Sequence, residues 1–191
     1  EGRLEKIGKI HNNSKVILDY AHTPAALESA LSNLKEQFPF NKINLIFGCG
    51  GDRDFKKRSL MGKIAEKYSN EIYLTDDNPR NEKPFEIRNE IKKGIKNKRI
   101  HEIPDRKKAI QEAVKNLKTG DILLVAGKGH EKIQDYGKKR TFFSDQKVIL
   151  SSIRAKNKFL SKNIKLNIIQ EQSKLNLSNK IQIKDASINS K

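Results

Sequence analysis

Tryptophan is absent from the 191 residues, and cysteine and methionine occur once each, at Cys49 and Met61. A lone cysteine excludes an intramolecular disulfide and any four-thiolate metal site, and it suits a reducing compartment, the cytoplasm. No apolar stretch approaches the roughly 20 residues that span a bilayer. The opening Glu1-Gly2-Arg3-Leu4-Glu5 has neither the cationic n-region nor the apolar h-region of a secretory signal, so no membrane partner is expected. There is no initiator methionine, and the chain reads as a piece of something longer. Ser-His-Asp order, HExxH and CxxC are all missing, which leaves no hydrolase triad and no metal site to propose.

Charge is plentiful and one-sided. Forty Lys and Arg stand against twenty-three Asp and Glu, a net +17, and such an excess ordinarily points to nucleic acid. Its distribution argues otherwise. From Ser151 onward nine basic and two acidic residues carry +7 of the total, alongside a single aromatic, Phe159. Aromatics are 6% of the chain and are not interleaved with the basic residues, so base-stacking platforms are lacking. Only nine of the forty basic residues are arginine, the side chain best shaped for bidentate phosphate or guanine contacts. A lysine-rich solvated surface is the simpler account, and no nucleic-acid partner is expected.

Short apolar runs alternate with amphipathic segments. Val16-Ile17-Leu18, Ile43 to Phe47, Ile72 to Thr75 and Ile122 to Ala126 are rich in β-branched residues and leucine without a period of two, as buried parallel strands are. Helical spacing separates them. After Thr23-Pro24, a cap and first-turn pair, Leu27, Ala30, Leu31, Leu34 and Phe38 share a face. Leu60, Met61, Ile64, Ala65 and Tyr68 repeat the pattern, as do Ala109, Ile110, Ala113, Val114 and Leu117 after Pro104-Asp105. Pro84 opens a weaker helix with Ile87, Ile91 and Ile95. This rhythm predicts an α/β fold, a Rossmann-like doubly wound sheet with helices on both faces. Lys132 to Tyr136 and Lys139 to Phe143 flank Gly137-Lys138 as an antiparallel hairpin, which makes the mostly parallel sheet mixed. Ser144-Asp145 then caps a helix to about Arg154, closing a domain over residues 1–154. Residues 155–191 form a basic C-terminal tail, either a linker or the truncated start of a following domain. It has strand-like stretches at Ile164 to Ile169 and Ile181 to Ile183.

Each of the four apolar strands runs directly into an unusual polar or glycine-rich segment: Asp19 to Pro24, Gly48 to Asp54, Asp76 to Arg80, and Gly127 to Glu131. In an open parallel sheet, ligands bind beyond the carboxyl ends of the strands, so the four segments converge on one rim. Gly48 to Asp54 gathers backbone amides ahead of a helix but is neither a P-loop nor GxGxxG, whose third glycine would fall at Arg53. Alone, it is equally a tight turn. Asp77-Asn78-Pro79-Arg80 combines a stiff φ with a guanidinium fork that suits a carboxylate, though by itself it is equally an Asx-Pro turn. In Gly127 to Glu131, Glu131 suits an ammonium, and His130 is either a proton carrier or a packed surface residue. Arg80 for a carboxylate and Glu131 for an ammonium would together grip a zwitterionic amino-acid head.

Taken in order, Gly-Arg-Leu-Glu, Asp-Tyr-Ala-His-Thr-Pro, Gly-Cys-Gly-Gly-Asp-Arg-Asp, Asp-Asn-Pro-Arg and Gly-Lys-Gly-His-Glu resemble the C-terminal domain of Mur ligases over residues 1 to about 154. The match is specific to members that add meso-diaminopimelate to UDP-MurNAc-L-Ala-D-Glu in peptidoglycan synthesis. Relatives that add lysine lack the arginine of Asp-Asn-Pro-Arg. The resemblance implies that Arg53, Asp77, Asn78, Pro79, Arg80, Gly127 and Glu131 contact meso-diaminopimelate, that Arg3 reaches the ATP phosphates and that Asp19 reaches the ribose. It implies ATP and Mg²⁺ as cofactors, bound mainly by a central domain whose P-loop, magnesium ligands and modified lysine do not occur here. No catalytic residue is therefore placed in this stretch. Asn179 to Lys191 resembles the opening of another Mur ligase, which would make the parent a fusion of two ligases. The alternatives are a related lysine- or glutamate-adding ligase and a basic, non-catalytic module whose rim holds nucleic acid.

Overall fold

A computed structural model describes residues 4–96 and 100–188. Each long apolar run forms a strand and each amphipathic segment a helix. In chain order these are β1 (Glu5–Lys6), β2 (Lys15–Asp19), α1 (Pro24–Gln37), β3 (Ile43–Phe47), α2 (Lys56–Tyr68), β4 (Glu71–Leu74) and α3 (Pro84–Lys92). Then follow β5 (Ile100–Glu102), α4 (Arg106–Asn116), β6 (Ile122–Ala126), β7 (Ile133–Asp135), β8 (Arg140–Phe142) and α5 (Asp145–Ile188). The main sheet has the order β1-β2-β6-β3-β4-β5, parallel except for β1, which pairs antiparallel with β2. The sheet is mixed as expected, for a different reason. The hairpin of β7 and β8 is a separate two-stranded sheet, and the antiparallel member of the main sheet is the two-residue β1.

The helix starts follow local chemistry. Thr23 Oγ1 accepts from the Ala26 amide at 3.3 Å with Pro24 in the first turn. Asp105 Oδ1 accepts from Lys108 N at 3.0 Å, and Ser144 Oγ from Lys147 N at 3.4 Å. Each cap satisfies a backbone donor that the helix leaves orphaned.

β3 and β6 are buried along their whole length. Their side chains alternate between faces, so Leu45, Phe47, Leu124 and Ala126 join one core with Leu27 and Leu31 of α1, Met61 and Ala65 of α2, and Ile87 and Ile91 of α3. Ile46, Leu123 and Val125 are equally buried but lie outside that cluster. They point to the other face, where α4 packs on β3, β4 and β6 with Ala109, Ile110, Ala113 and Val114 buried.

The chain divides into two compact units, Glu1–Lys156 and Asn157–Lys191. The second is helical as far as Ile188. The strands expected at 164–169 and 181–183 are therefore not formed, and the last helix does not stop at Arg154. Isoleucine favours strands locally, but a strand must find a neighbour for its backbone groups, whereas a helix satisfies its own. Side chains 164–172 are exposed. No helix among the described residues is long and apolar enough to cross a membrane.

Leu124, fully buried at the centre of the sheet, provides a stability test. Leu124→Ala is expected to lower the unfolding free energy by about 2–5 kcal/mol. In urea the midpoint should fall while the slope stays the same, and an unchanged midpoint would place Leu124 outside the core.

Candidate functional site

The turns after β2, β3, β4 and β6 line one cleft of about 530 Å³ at the carboxyl edge of the sheet. Of the residues singled out from sequence, Arg53, Asp77, Asn78, Arg80, Gly127 and Glu131 all line it. Pro79 does not. It stands behind the wall beside Cys49, Asp77 and Arg88. Tyr20, His22, Thr23, Asp54, Lys56 and Lys57 add further polar groups to the lining.

The turn after β3 presses against the turn after β4. The Gly51 amide donates to Asn78 O at 2.9 Å, and a Cβ at Gly51 would sit 1.9 Å from Pro79 O, so only glycine allows this approach. Gly127, with φ +113, brings the end of β6 against Asp77, where a Cβ would lie 2.7 Å from Oδ2. Arg80 takes the left-handed backbone region at φ 52, a conformation that costs a non-glycine residue about 1–2 kcal/mol. It is held there by its amide, which donates to Asp135 O at 3.0 Å, and by Nη1, which donates to Gly51 O at 2.7 Å. The other guanidinium donors make no hydrogen bond among the described residues.

Behind the wall lies a residue whose role was not read from the sequence. Lys128 is 0% exposed, and its ammonium donates to Asn78 Oδ1 at 2.9 Å, Glu131 Oε2 at 3.1 Å and Ile133 O at 2.6 Å. Asn78 Nδ2 donates to Glu131 Oε2 at 3.1 Å, and Tyr20 OH to Glu131 Oε1 at 3.3 Å. Burial pushes the Glu131 carboxyl up, but Lys128, Asn78 and Tyr20 more than reverse this, and the net shift is downward, keeping it ionised. Asp77, 8% exposed, goes the other way. Burial raises it against the pull of Arg106 and Lys128, and no described residue donates a hydrogen bond to its carboxylate.

Three buried arginines brace the same turns. Arg58 donates to Gly50 O at 3.2 Å and pairs with Glu82 and Glu90. Arg88 pairs with Asp76 and Glu102. Arg106 forms a two-pronged pair with Asp145 at 2.8 and 2.7 Å and donates to Ala126 O at 2.9 Å, fixing the end of β6. Neither Lys128 nor Tyr20 was assigned a role from sequence, although both lie within the polar segments that follow the strands. The need of Glu131 for a cation nearby follows from its half-burial, which only the structure shows.

Of the two residues expected at a nucleotide, only Asp19 is among those described, and it lies elsewhere. Asp19 lines a second cleft of about 450 Å³ with Leu4, Tyr20 and His22. Its carboxylate accepts from Leu4 N at 2.6 Å and Ala21 N at 2.7 Å, tying the segment before β1 to the turn after β2. Arg3 lies outside the described residues. Among the described residues no group of three His, Cys, Asp or Glu is placed to hold a metal ion. His22 and Tyr20 meet edge-on at 4.6 Å, and His130 stacks on Tyr20 at 6.3 Å.

Cys49 touches the cleft, yet its thiol is buried against Met61 Sδ at 3.6 Å. Burial pushes it up to about 12. At pH 8 the folded protein should resist a thiol-specific reagent and react fully only in denaturant. Rapid labelling of the native chain would contradict this placement.

Compared with known proteins, the sequence matches the family Mur ligase, glutamate ligase domain, over residues 2–129. It is 52% identical over 157 residues to the UDP-N-acetylmuramoyl-L-alanyl-D-glutamate--2,6-diaminopimelate ligase of Buchnera aphidicola, covering 82% of this chain and 31% of that protein. The ligase of the same name from Rickettsia felis is 47% identical over 161 residues, covering 83% and 30%. A solved structure of a ligase so named superposes with a TM-score of 0.75 at 41% identity, covering 81% of this chain and 32% of the other. The chain thus spans about a third of the length of the curated relatives it matches. Matched in sequence over residues 2–129 and in fold over 81% of its length, the chain belongs to the Mur ligase family, whose glutamate ligase domain it carries.

Proposed function

We propose that this chain is the amino-acid-binding domain of an ATP-dependent ligase that adds meso-diaminopimelate to UDP-MurNAc-L-Ala-D-Glu in the cytoplasm. The observation that carries the reading is that Arg80 and Glu131, from turns after different strands, line the same cleft. A guanidinium and a carboxylate so placed match the two charges of one amino-acid head. An amine held as an ammonium by Glu131 has no free lone pair, so the gripped head is the end that does not react. The other amine of diaminopimelate is then presented at the cleft mouth.

ATP and Mg²⁺, held mainly outside this chain, supply an activated acyl phosphate of the acceptor. The amine nitrogen forms the amide bond to the acyl carbon, phosphate leaves with the electron pair of the broken C–O bond, and the nitrogen gives up a proton. The contribution of this domain is positioning: holding the amine in line turns a bimolecular encounter into an intramolecular one. Asn78 and Asp77 add polar contacts at the head, with Arg53 at the open side. Asp19 and Arg3 would face the nucleotide across the domain junction. The names of the relatives support diaminopimelate over lysine or glutamate, as does the presence of Arg80.

Two outcomes are expected. The chain alone should neither hydrolyse ATP nor form amide, because the phosphate-activating machinery is not in it. In the whole ligase, Arg80→Ala should raise KM for meso-diaminopimelate by about ten- to a hundredfold, the equivalent of a charge-assisted hydrogen bond worth about 1.5–3 kcal/mol, with KM for ATP changed less than twofold. Equal effects on both substrates, or turnover of lysine in preference to diaminopimelate in a substrate panel, would overturn the assignment.

A further inference from the structure

Lys128 does not line the cleft, yet two of its walls meet on this ammonium. A lysine has three donors, and all three are used: on Asn78 of the turn after β4, on Glu131 of the turn after β6, and on the backbone of Ile133 in β7. This arrangement assigns roles to individual atoms. Asn78 Oδ1 accepts from both the ammonium and the Asp135 amide, at 2.9 and 3.1 Å, so its amide nitrogen must face Glu131. Glu131 Oε2 is then occupied by two donors, Lys128 and Asn78, both at 3.1 Å. Oε1 has a single long contact, 3.3 Å from Tyr20 OH, and Glu131 faces the cleft.

We infer that Lys128 is a positioning residue for amino-acid recognition: by anchoring Glu131 Oε2 and Asn78 Oδ1 from behind the wall, it presents Glu131 Oε1 to the ammonium of the bound amino acid. The inference rests on the amino-acid reading of the cleft. Without Lys128, Glu131 would share a half-buried wall with the unpartnered Asp77 carboxylate and keep only two neutral partners, Asn78 Nδ2 and Tyr20 OH, to hold its rotamer. The less firmly held Glu131 would then have to be ordered at the moment of binding, which weakens the complex without touching the nucleotide.

The test is kinetic, in the whole ligase. Lys128→Met keeps an unbranched stem of similar shape and removes the ammonium. It should raise KM for the amino acid at least tenfold, leave KM for ATP and for the UDP-linked substrate within twofold, and lower kcat at saturation much less than it raises KM. Since Lys128 acts through Glu131, the double variant Lys128→Met/Glu131→Gln should match Glu131→Gln alone within twofold. A folded Lys128→Met with an unaltered amino-acid KM, or a double variant whose KM is the product of the two single effects, would overturn the inference. Should Lys128→Met not fold, the double variant leaves neither charge buried alone, and its comparison with Glu131→Gln decides the matter. The two readings fail differently. If the ligase adds another amino acid, the substrate assignment falls and Lys128 is tested with that amino acid. If Arg80→Ala impairs amino-acid binding and Lys128→Met does not, only the positioning role falls.

Discussion

A charge withdrawn from water must be answered at contact distance, and the architecture of the rim follows from four cations that meet this demand. Arg58 ties the turn after β3 to Glu82 and Glu90, Arg88 ties the turn after β4 to Glu102, Arg106 ties the end of β6 to Asp145, and Lys128 ties the β4 and β6 turns to each other. Buried ion pairs add little to net stability, because desolvation consumes most of the Coulombic gain. They are costly to break, however, and directional when made. A sheet edge built only of glycine turns would sample many shapes, whereas one pinned by forked guanidinium and ammonium contacts has few.

The sheet itself needs none of these charges, and this is why so much of it was legible. β2, β3, β4 and β6 are buried, and that alone selects the Val, Ile and Leu runs that mark them in the sequence. What escaped was too short or too dependent on context to leave such a mark. β1 has two residues and β5 three, and both exist because a neighbouring strand offers unpaired backbone groups. The tail fails in the opposite sense. Ile164, Ile168 and Ile169 look like strand residues, yet they lie exposed on a helix, where no partner strand is required.

The candidate site was legible by position and not by connection. Residues that follow the ends of parallel strands must converge, so Arg53, Asp77, Asn78, Arg80, Gly127 and Glu131 fell into one cleft without knowledge of any contact. Their supports could not be read the same way. In a chain with forty basic residues, most of them solvated, nothing local separates Lys128, at 0% exposure, from the lysines around it. The distinction lies in what surrounds the head group in space, three acceptors drawn from positions 78, 131 and 133. Arg58 and Arg106 present the same difficulty: each sits on an amphipathic helix where an arginine ordinarily reads as a solvent-facing residue.

The strain at Arg80 follows from the same logic of fixing side chains before a ligand arrives. A left-handed backbone is unfavourable for arginine, and free in solution the side chain would sample many rotamers. Here the backbone amide is tied to Asp135 in β7 and one guanidinium nitrogen to Gly51, so the conformational cost is met during folding and offset by the packing around it. On the proposed reading the outer edge of the fork would then meet a carboxylate with little entropy left to lose, since in a planar group the direction of the remaining donors is set by the one already bound. Glu131, in the same cleft, is held in the same manner by one oxygen, while the other has the single 3.3 Å contact with Tyr20 OH. On that reading, two pre-ordered charges in one cleft would set the spacing between the carboxylate and the ammonium that they accept. The gripped head is, on the same reading, the one that does not react, so the ligand needs a whole α-amino-acid head besides its reacting amine, and a lysine reacting through its α-amine would leave Arg80 without a carboxylate to hold.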